Sequence, residues 1–336
     1  MKSLVLFNNK GGVGKTTLTF NLAHMAARLG LRTVLLDLDP QCNLSSLVLD
    51  EAELEEVWNQ STHAGGTIAR CVDLVRLGRG QLRPPSLQVV IEGSLWLLPG
   101  DLRLSWFEQK LAEAWGKVFQ ARNEQALDVT TAFHEIAILA SNAVDAELVL
   151  IDVGSSLGAL NHSALLACDH VVVPLAADLL SLQGMKNIGP TLQEWREEWL
   201  TVRRSHLEGR PQAQQPFRRF MPLGYIIQQH MVREGMPVAA WRRWADQIPA
   251  VFREEVLHEK PLENPIDTDT DRNCLAQLRH FASLVPLAQV ARKPMFDLKQ
   301  ADGISGGQAR LVAECRQAFE ALTRKILDGM GVALPT

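Results

Sequence analysis

Short, continuously apolar runs recur along the chain between longer segments with a helical pattern. Strands covered on both faces of a sheet are apolar without alternation, so these runs predict buried parallel strands. They span residues 4–7, 34–36, 96–98, 148–151, 171–173 and 224–227. Residues 16–29, followed by Gly30, have the length and the glycine stop of a helix. We therefore predict an α/β protein with a mostly parallel, twisted sheet that has helices on both faces.

Two stretches interrupt this pattern. Residues 50–94 mix apolar and polar positions and contain repeated glycine and proline turns, which predicts a short helix followed by a loop and a peripheral insertion. Residues 203–217 are polar and rich in Arg and Gln, which indicates an excursion on the surface. We expect a single domain over residues 1–336, with insertions at about 50–94 and 203–276.

Composition narrows the class of protein. Of the 336 residues, 46% are hydrophobic and 21% are charged, so the chain can bury a large core, and a disordered protein is excluded. The formal net charge is −4, so any contact with DNA requires a local basic patch. No apolar run approaches the roughly 20 residues that span a bilayer, and the first residues lack the layout of a signal peptide.

The cysteines also bear on the compartment in which the protein works. They are scattered along the chain, without a CxxC pair or an even ladder of spacings, at Cys42, Cys71, Cys168, Cys274 and Cys315. Such spacing favours reduced thiols over disulfides. A cytoplasmic protein without a membrane anchor is the expectation.

A glycine-rich loop, NNKGGVGKTT, joins the first predicted strand to the first predicted helix. Glycines let backbone N–H groups turn towards phosphate oxygens, and the positive end of the helix dipole lies at the same place. Lys15 is placed to neutralise the β and γ phosphates, and the Thr16 hydroxyl is placed to bind Mg²⁺. We predict a P-loop NTPase fold with nucleotide contacts from Lys10, Gly11, Gly12, Val13, Gly14, Lys15, Thr16 and Thr17.

This loop departs from the ordinary P-loop at Asn9, where that loop has glycine, and at Lys10, where it requires no lysine. The segment KGGVGKTT resembles the deviant Walker A family, which includes ParA partition ATPases, MinD and the nitrogenase iron protein. The resemblance is greatest to short ParA proteins without an N-terminal helix-turn-helix. It implies ATP and Mg²⁺ as ligands, ATP hydrolysis, and a homodimer that forms with ATP. It also implies that Lys10 reaches the partner subunit's nucleotide, so that Lys10 and Lys15 are both catalytic.

Three aspartates follow two of the predicted strands. The segment LLDLDPQ resembles the Walker A′ segment of ParA, which implies that Asp39 positions the attacking water and that Asp37 lies near the outer shell of the metal. The alternative is two solvated acids in a turn. The segment LVLID resembles a Walker B strand, which implies that Asp152 reaches Mg²⁺ through water. The next residues, Val-Gly-Ser, differ from the Thr-Pro-Pro that is usual in ParA.

Contacts to the purine base are harder to place from the sequence. In the family that the loop resembles, they come from a strand near residue 227 and from a loop after the last strand. By that resemblance Gln228 and Pro286 are the candidates. An ordinary core or surface role is the alternative for both residues.

Absent features narrow the sub-class. The iron protein needs paired cysteines for its cluster, and this chain has none. A MinD-like protein needs an amphipathic membrane helix, and residues 311–327 are amphipathic. Small residues on their apolar face, such as Ala313 and Ala318, favour packing on the sheet over membrane binding. No helix-turn-helix precedes the first strand, so binding to a specific operator is not expected.

Two classes of function stay open. The first is a ParA-type switch that closes a dimer on ATP, binds DNA without sequence preference, and is released when a ParB-like or cargo adaptor protein stimulates hydrolysis. Such a protein is nucleoid-associated as well as cytoplasmic. The second is a metabolic P-loop enzyme of the ligase or amidase kind, with a MinD-like membrane-cycling ATPase as a further alternative.

Non-specific DNA binding needs a basic patch. The candidates are four dibasic pairs, namely Arg203–Arg204, Arg218–Arg219, Arg242–Arg243 and Arg292–Lys293. In one of them the arginines are flanked by Trp241 and Trp244, a pattern that can hold a phosphate backbone. The alternative is a helix whose tryptophans pack inwards while its arginines stay in water.

Overall fold

The computed structural model describes residues 1–59, 65–120, 123–207, 220–229, 238–279, 281 and 283–335. Within these residues, the strands are β1 Lys2–Leu6, β2 Thr33–Asp37, β3 Gln88–Ile91, β4 Leu95–Leu98, β5 Leu148–Asp152, β6 His170–Ala176, β7 Met221–Gln229 and β8 Cys274–Arg279. The α-helices are α1 Lys15–Arg28, α2 Asn43–Val48, α3 Glu51–Asn59, α4 Ile68–Arg76, α5 Ser105–Val118, α6 Glu124–Thr130, α7 Ala132–Ala143, α8 Ala159–Leu166, α9 Leu179–Leu207, α10 Val238–Ala245, α11 Ile248–Val251, α12 Val285–Ala291 and α13 Gln308–Gly329.

The strands form one sheet in the order β3-β4-β2-β5-β1-β6-β7-β8. Every neighbouring pair is parallel except β3 with β4, which is antiparallel. The strand before the glycine loop, β1, therefore lies in the middle of the sheet. The carboxyl ends of β2, β5 and β6 flank the loop, and any ligand in the loop meets the residues that follow these strands.

Helices cover both faces of the sheet. In β1, Val5 joins an apolar layer with Phe107 and Phe133, whereas Leu4 joins the opposite layer with Phe20 and Phe319. Because successive side chains of a strand point to opposite faces, burial of both layers requires the unbroken apolar runs seen in the sequence. The predicted α/β fold is confirmed.

All six predicted strands are present, as β1, β2, β4, β5, β6 and β7, and the predicted first helix corresponds to α1. The amphipathic segment 311–327 lies within α13, where Phe319, Leu322 and Ile326 are buried in the layer that also contains α1. Its apolar face is therefore covered by the protein. β3 and β8 were not predicted, because β3 alternates between half-buried and exposed positions and β8 contains polar residues.

The prediction for residues 50–94 is wrong in part. This stretch is not a loop after one helix, because it contains both α3 and α4 and ends in the edge strand β3. Ile68, Cys71 and Val72 of α4 are fully buried in the core layer of α5 and α7. Within residues 203–276, the strand predicted at 224–227 is β7, which pairs with β6 in the central sheet.

Two helical glycines allow a test of the packing. Gly116 in α5 has no other atom within 4 Å of the position of an added Cβ, whereas a Cβ at Gly189 in α9 would lie 1.9 Å from the Glu255 carbonyl oxygen. We expect Gly116→Ala to raise the free energy of unfolding by about 0.5–1 kcal/mol. Gly189→Ala should lower it by about 1–3 kcal/mol through overpacking. Urea denaturation of both variants measures the difference, and equal stabilities would contradict the packing of α9.

Candidate nucleotide-binding site

The glycine loop is shaped by its glycines and by Asn8. Gly12 and Gly14 both adopt a φ of 73°, in the left-handed region that favours glycine. Asn8 donates from Nδ2 to the Pro174 carbonyl at 2.7 Å and accepts from the Lys10 backbone N–H at 2.9 Å, which ties the loop to the end of β6. Gly14 is the N-cap of α1 and gives the helix no side-chain cap, so the first N–H groups of α1 can receive an anion.

Lys15 lies buried inside the loop. Its ammonium donates to the backbone carbonyls of Asn8 at 3.2 Å and Lys10 at 3.4 Å. Burial lowers the pKa of Lys15, and the negative charges of Asp152 and Asp39 offset part of that shift. The two carbonyls hold a cation at the point where the N–H groups of α1 begin, which is the arrangement that a phosphate needs.

Lys10 points to the neighbouring loop instead. Its ammonium donates to Asp178 Oδ2 at 2.6 Å and to Ser181 Oγ at 3.3 Å, both beyond the end of β6. Burial opposes ionisation of Asp178, but hydrogen bonds from Lys10 and Ser181 outweigh it and lower the pKa of that carboxyl. The side chains of Lys10 and Asp178 are 27% and 41% exposed, so the pair can open without exposing the core.

Asp152 ends β5 as a fully buried carboxylate, and neither of its oxygens has a hydrogen bond within ordinary limits. Burial raises its pKa well above 3.8, and the charge of Asp37 adds to the rise, while the nearby Thr16 hydroxyl and Lys15 ammonium reduce it. A buried, unpartnered carboxylate beside a threonine hydroxyl fits a divalent cation. Among the described residues, no group of three or more His, Cys, Asp or Glu could hold a metal by itself. Mg²⁺ here would therefore bind together with phosphates.

Asp37, at the end of β2, lies in register with Asp152. Its Oδ2 accepts from the backbone N–H of Ser45 at 2.8 Å and from the Ser45 hydroxyl at 2.6 Å, and its Oδ1 accepts from the Asp39 N–H at 3.2 Å. Burial raises the pKa of Asp37 to about 7, although the bonds from Ser45 oppose the shift. Asp37, which we predicted near the outer shell of the metal, is thus hydrogen-bonded to the loop after β2 and holds that loop in place.

Asp39 reaches the same edge of the sheet from that loop. It is buried, and its Oδ1 accepts from the Gln41 N–H at 3.0 Å. A Cβ at Gly154, two residues after the Walker B-like aspartate, would lie 3.5 Å from Asp39 Oδ1. The loops after β2 and β5 therefore meet at Asp39, on the side of the sheet where the glycine loop lies.

A cavity of about 180 Å³ adjoins the glycine loop on the side of β7 and β8. Gln228 lines it and lies against Gly14, where a Cβ would come within 2.3 Å of the Gln228 Nε2. Pro286 is exposed and does not line the cavity. The residue before it, Val285 at the start of α12, does line the cavity. The sequence also gave no signal for Arg279, the last residue of β8, which lines the cavity.

The dibasic candidates differ in their surroundings. Arg204, Arg242 and Arg243 are exposed, and the Arg243 guanidinium lies 5.2 Å from the centre of the Trp244 ring, which is half-buried. Lys293 donates to Asp302 at 2.7 Å. Arg218, Arg219 and the Trp241 side chain lie outside the described residues.

Residues 1–205 match a family profile described as an AAA domain. The chain belongs to this family, and within it to the P-loop ATPases of the ParA and MinD type. The family and the α/β P-loop fold are thereby confirmed as predicted, and ATP with Mg²⁺ is the ligand that such a loop implies.

Two relatives illustrate the sequence similarity. The chromosome-partitioning ATPase Soj of Thermus thermophilus is 32% identical over 196 residues, which cover 58% of this chain and 63% of Soj. The chromosome partitioning protein ParA of Caulobacter vibrioides is 30% identical over 197 residues, which cover 58% of this chain and 64% of ParA. The match thus spans less than two thirds of either relative.

Solved structures extend the similarity in fold to the whole chain. Protein DIP2308 from Corynebacterium diphtheriae superposes with a TM-score of 0.73 at 20% identity, covering 98% of this chain and 99% of that one. The septum site-determining protein MinD of Pyrococcus horikoshii superposes with a TM-score of 0.53 at 16% identity, covering 97% and 95%. Along the described part of this chain, no helix is long and apolar enough to cross a membrane.

The buried carboxylate of Asp152 should lower the free energy of unfolding when it is ionised. Its raised pKa means that the folded state binds more protons than the unfolded state above about pH 4, so its contribution to stability falls as the pH rises from there. We expect Asp152→Asn to stabilise the nucleotide-free protein by roughly 1–2 kcal/mol at pH 8. At pH 4 the two proteins should be nearly equal, because both side chains are then neutral.

Thermal unfolding at both pH values measures this difference. The exposed Asp246→Asn serves as the control and should change neither curve. Loss of stability in Asp152→Asn at pH 8 would show that the carboxylate is satisfied within the protein, against the metal site.

Proposed function

We propose that this chain is an ATP-dependent switch that dimerises with bound ATP, binds DNA without sequence preference in that state, and leaves the DNA after hydrolysis stimulated by an adaptor protein. The observation that carries the proposal is the convergence of Lys10, Lys15, Asp39 and Asp152 on one edge of the sheet. A phosphate loop, a buried acid for a cation and a second acid near both are the parts that nucleotide hydrolysis requires.

The chemistry divides among residues that the structure holds in place. Lys15 and the N–H groups of α1 bind and neutralise the phosphates. Thr16 and Asp152 would hold Mg²⁺, which, when bound, neutralises charge on the β and γ phosphates. Asp39 is the residue that orients the attacking water, since the Asp37 carboxylate is already occupied by Ser45.

Dimerisation gives Lys10 its role. Within one chain its ammonium is bound to Asp178 at the same edge as the loop, and it is partly exposed. An exposed ion pair contributes little to stability, so a second subunit's triphosphate can replace Asp178 at small cost. The lysine then adds a positive charge to the partner subunit's site, in the way that an arginine finger acts elsewhere.

Support for DNA as the ligand comes from the relatives and from the surface. The relatives at about 30% identity are named for chromosome partitioning. The arginines at positions 204, 242 and 243 are exposed on α9 and α10, as phosphate contacts require. A membrane-cycling function would need an apolar helix face, and that of α13 is buried in the core.

Two variants should stop the cycle of ATP binding, dimerisation and hydrolysis at different steps. We expect Asp39→Ala to bind ATP and form a stable dimer without hydrolysis, because only the water loses its orienting group. We expect Lys10→Ala to retain ATP binding through Lys15 but neither to dimerise nor to hydrolyse ATP efficiently.

Light scattering with ATP and a phosphate-release assay distinguish these outcomes, with Lys15→Ala as the control that loses ATP binding. A monomeric, fully active Asp39→Ala or a dimeric, fully active Lys10→Ala would refute the proposed cycle.

DNA binding should depend on nucleotide and salt. We expect ATP to confer affinity for duplexes of any sequence, and higher salt to weaken it steeply because binding releases counterions. Removal of both guanidinium groups, in Arg242→Ala with Arg243→Ala, should reduce affinity about tenfold or more.

Filter binding at two salt concentrations tests this expectation. The matched control is Arg310→Ala with Arg324→Ala, which removes two exposed arginines of α13 that pair with glutamates. Equal affinity with ADP and ATP would favour the metabolic enzyme instead.

A further inference from the structure

The loop that follows β5 carries a serine that faces the glycine loop. Ser155 is half-buried, and its Oγ is the nearest atom of another segment to the position of an added Cβ on Gly11, at 3.9 Å. Among the residues that the structure describes, this hydroxyl forms no hydrogen bond. A hydroxyl group can both donate and accept, and most half-buried ones have a partner. The Ser155 hydroxyl is therefore available to a ligand in the glycine loop.

The next residue, Ser156, has different surroundings. Its Oγ accepts from the Gly158 N–H at 3.4 Å and from Asn161 Nδ2 at 3.2 Å, and its carbonyl accepts from Asn161 Nδ2 at 2.7 Å. These bonds close the turn that leads into α8. The shape of the loop thus depends on Ser156, and a role in shaping the loop does not account for Ser155.

Both ends of this loop are fixed. On one side, β5 is paired with its neighbour β2 as far as Asp152. On the other side, Glu108 of α5 accepts from the backbone N–H groups of Ala159 at 2.5 Å and Leu160 at 3.1 Å, in the first turn of α8. Ser155 therefore lies against the glycine loop before any ligand binds, which reduces the entropy lost on binding.

The neighbouring residue shows which phosphate Ser155 faces. Gly154 lies against Asp39, because a Cβ there would be 3.5 Å from Asp39 Oδ1. The loop thus contacts Asp39 with one residue and faces Gly11 with the next. In the function proposed above, Asp39 orients the water that attacks the terminal phosphate. A donor between Asp39 and the glycine loop then faces that phosphate rather than the two that remain in ADP.

We infer that the Ser155 hydroxyl donates a hydrogen bond to the terminal phosphate of ATP and so distinguishes ATP from ADP. Hydrogen bonds to charged oxygens are stronger than those between neutral groups. The usual residue at this position in ParA is proline, which has neither a hydroxyl nor a backbone N–H, so the contact is a feature of this chain. The inference rests on the proposed role of Asp39 for the choice of phosphate, but not on dimerisation or on DNA.

Calorimetric titration with Mg²⁺ tests this contact by comparing ADP with an imido analogue of ATP that is not hydrolysed. We expect Ser155→Ala to weaken binding of the analogue about tenfold, as loss of a hydrogen bond to a charged group does. Its affinity for ADP should not change, because ADP lacks the terminal phosphate. Ser155→Thr keeps the hydroxyl and should keep the wild-type ratio of the two affinities.

Two controls separate this contact from other effects. Ser156→Ala removes the adjacent hydroxyl and should leave the ratio of affinities unchanged, even if the loop loses some stability. The comparison is repeated in a Lys10→Ala background, where we expect no dimer, so that dimerisation does not contribute to the affinity for the analogue. Ser155→Ala should unfold at the wild-type temperature, because this hydroxyl makes no hydrogen bond within the described part of the chain.

Three results would overturn the contact with the terminal phosphate. They are an unchanged ratio of affinities in Ser155→Ala, an equal loss for both nucleotides, and a loss that is absent in the Lys10→Ala background. Each of them would leave the proposed cycle of dimerisation and DNA binding standing. A selective loss of affinity for the analogue, in a protein that never forms a dimer with ATP, would support the role of Ser155 and refute that cycle.

Discussion

Two buried carboxylates at adjacent strand ends constrain the rest of the site. Asp37 and Asp152 lie side by side in register, and burial of such a pair is costly unless each finds a partner. Asp37 finds it in Ser45, which fixes the loop that carries Asp39. Asp152 has no such partner and faces Thr16 and Lys15. One acid is thus held by the protein's own hydrogen bonds, and the other is the one that we propose for a cation.

The strand order of the parallel sheet places the glycine loop beside the residues that follow β5 and β6. Strand β1 lies between β5 and β6, so the glycine loop necessarily meets the residues that follow both. Asn8 binds the Pro174 carbonyl within β6, and Lys10 reaches Asp178 just beyond the end of that strand. In the function proposed above, phosphate binding and dimer formation therefore draw on the same edge of the sheet.

Asp39 lies within electrostatic reach of Lys15, Asp37 and Asp152, and backbone groups hold it in place. Its neighbours are the Gln41 N–H and the loop at Gly154. Those loops are fastened to α5 through Gly100 and through Glu108.

The sequence by itself determined the features that depend on local pattern. Unbroken apolar runs indicated the six buried strands, and the glycine-rich segment indicated a loop between the first strand and the first helix. The tertiary structure decided what depends on packing between distant segments. Examples are the edge strand β3, the burial of α4, the pairing of Lys10 with Asp178 and the presence of Val285 in the cavity beside the glycine loop. Such contacts join residues far apart in the chain, and the local pattern reports burial but not the partner.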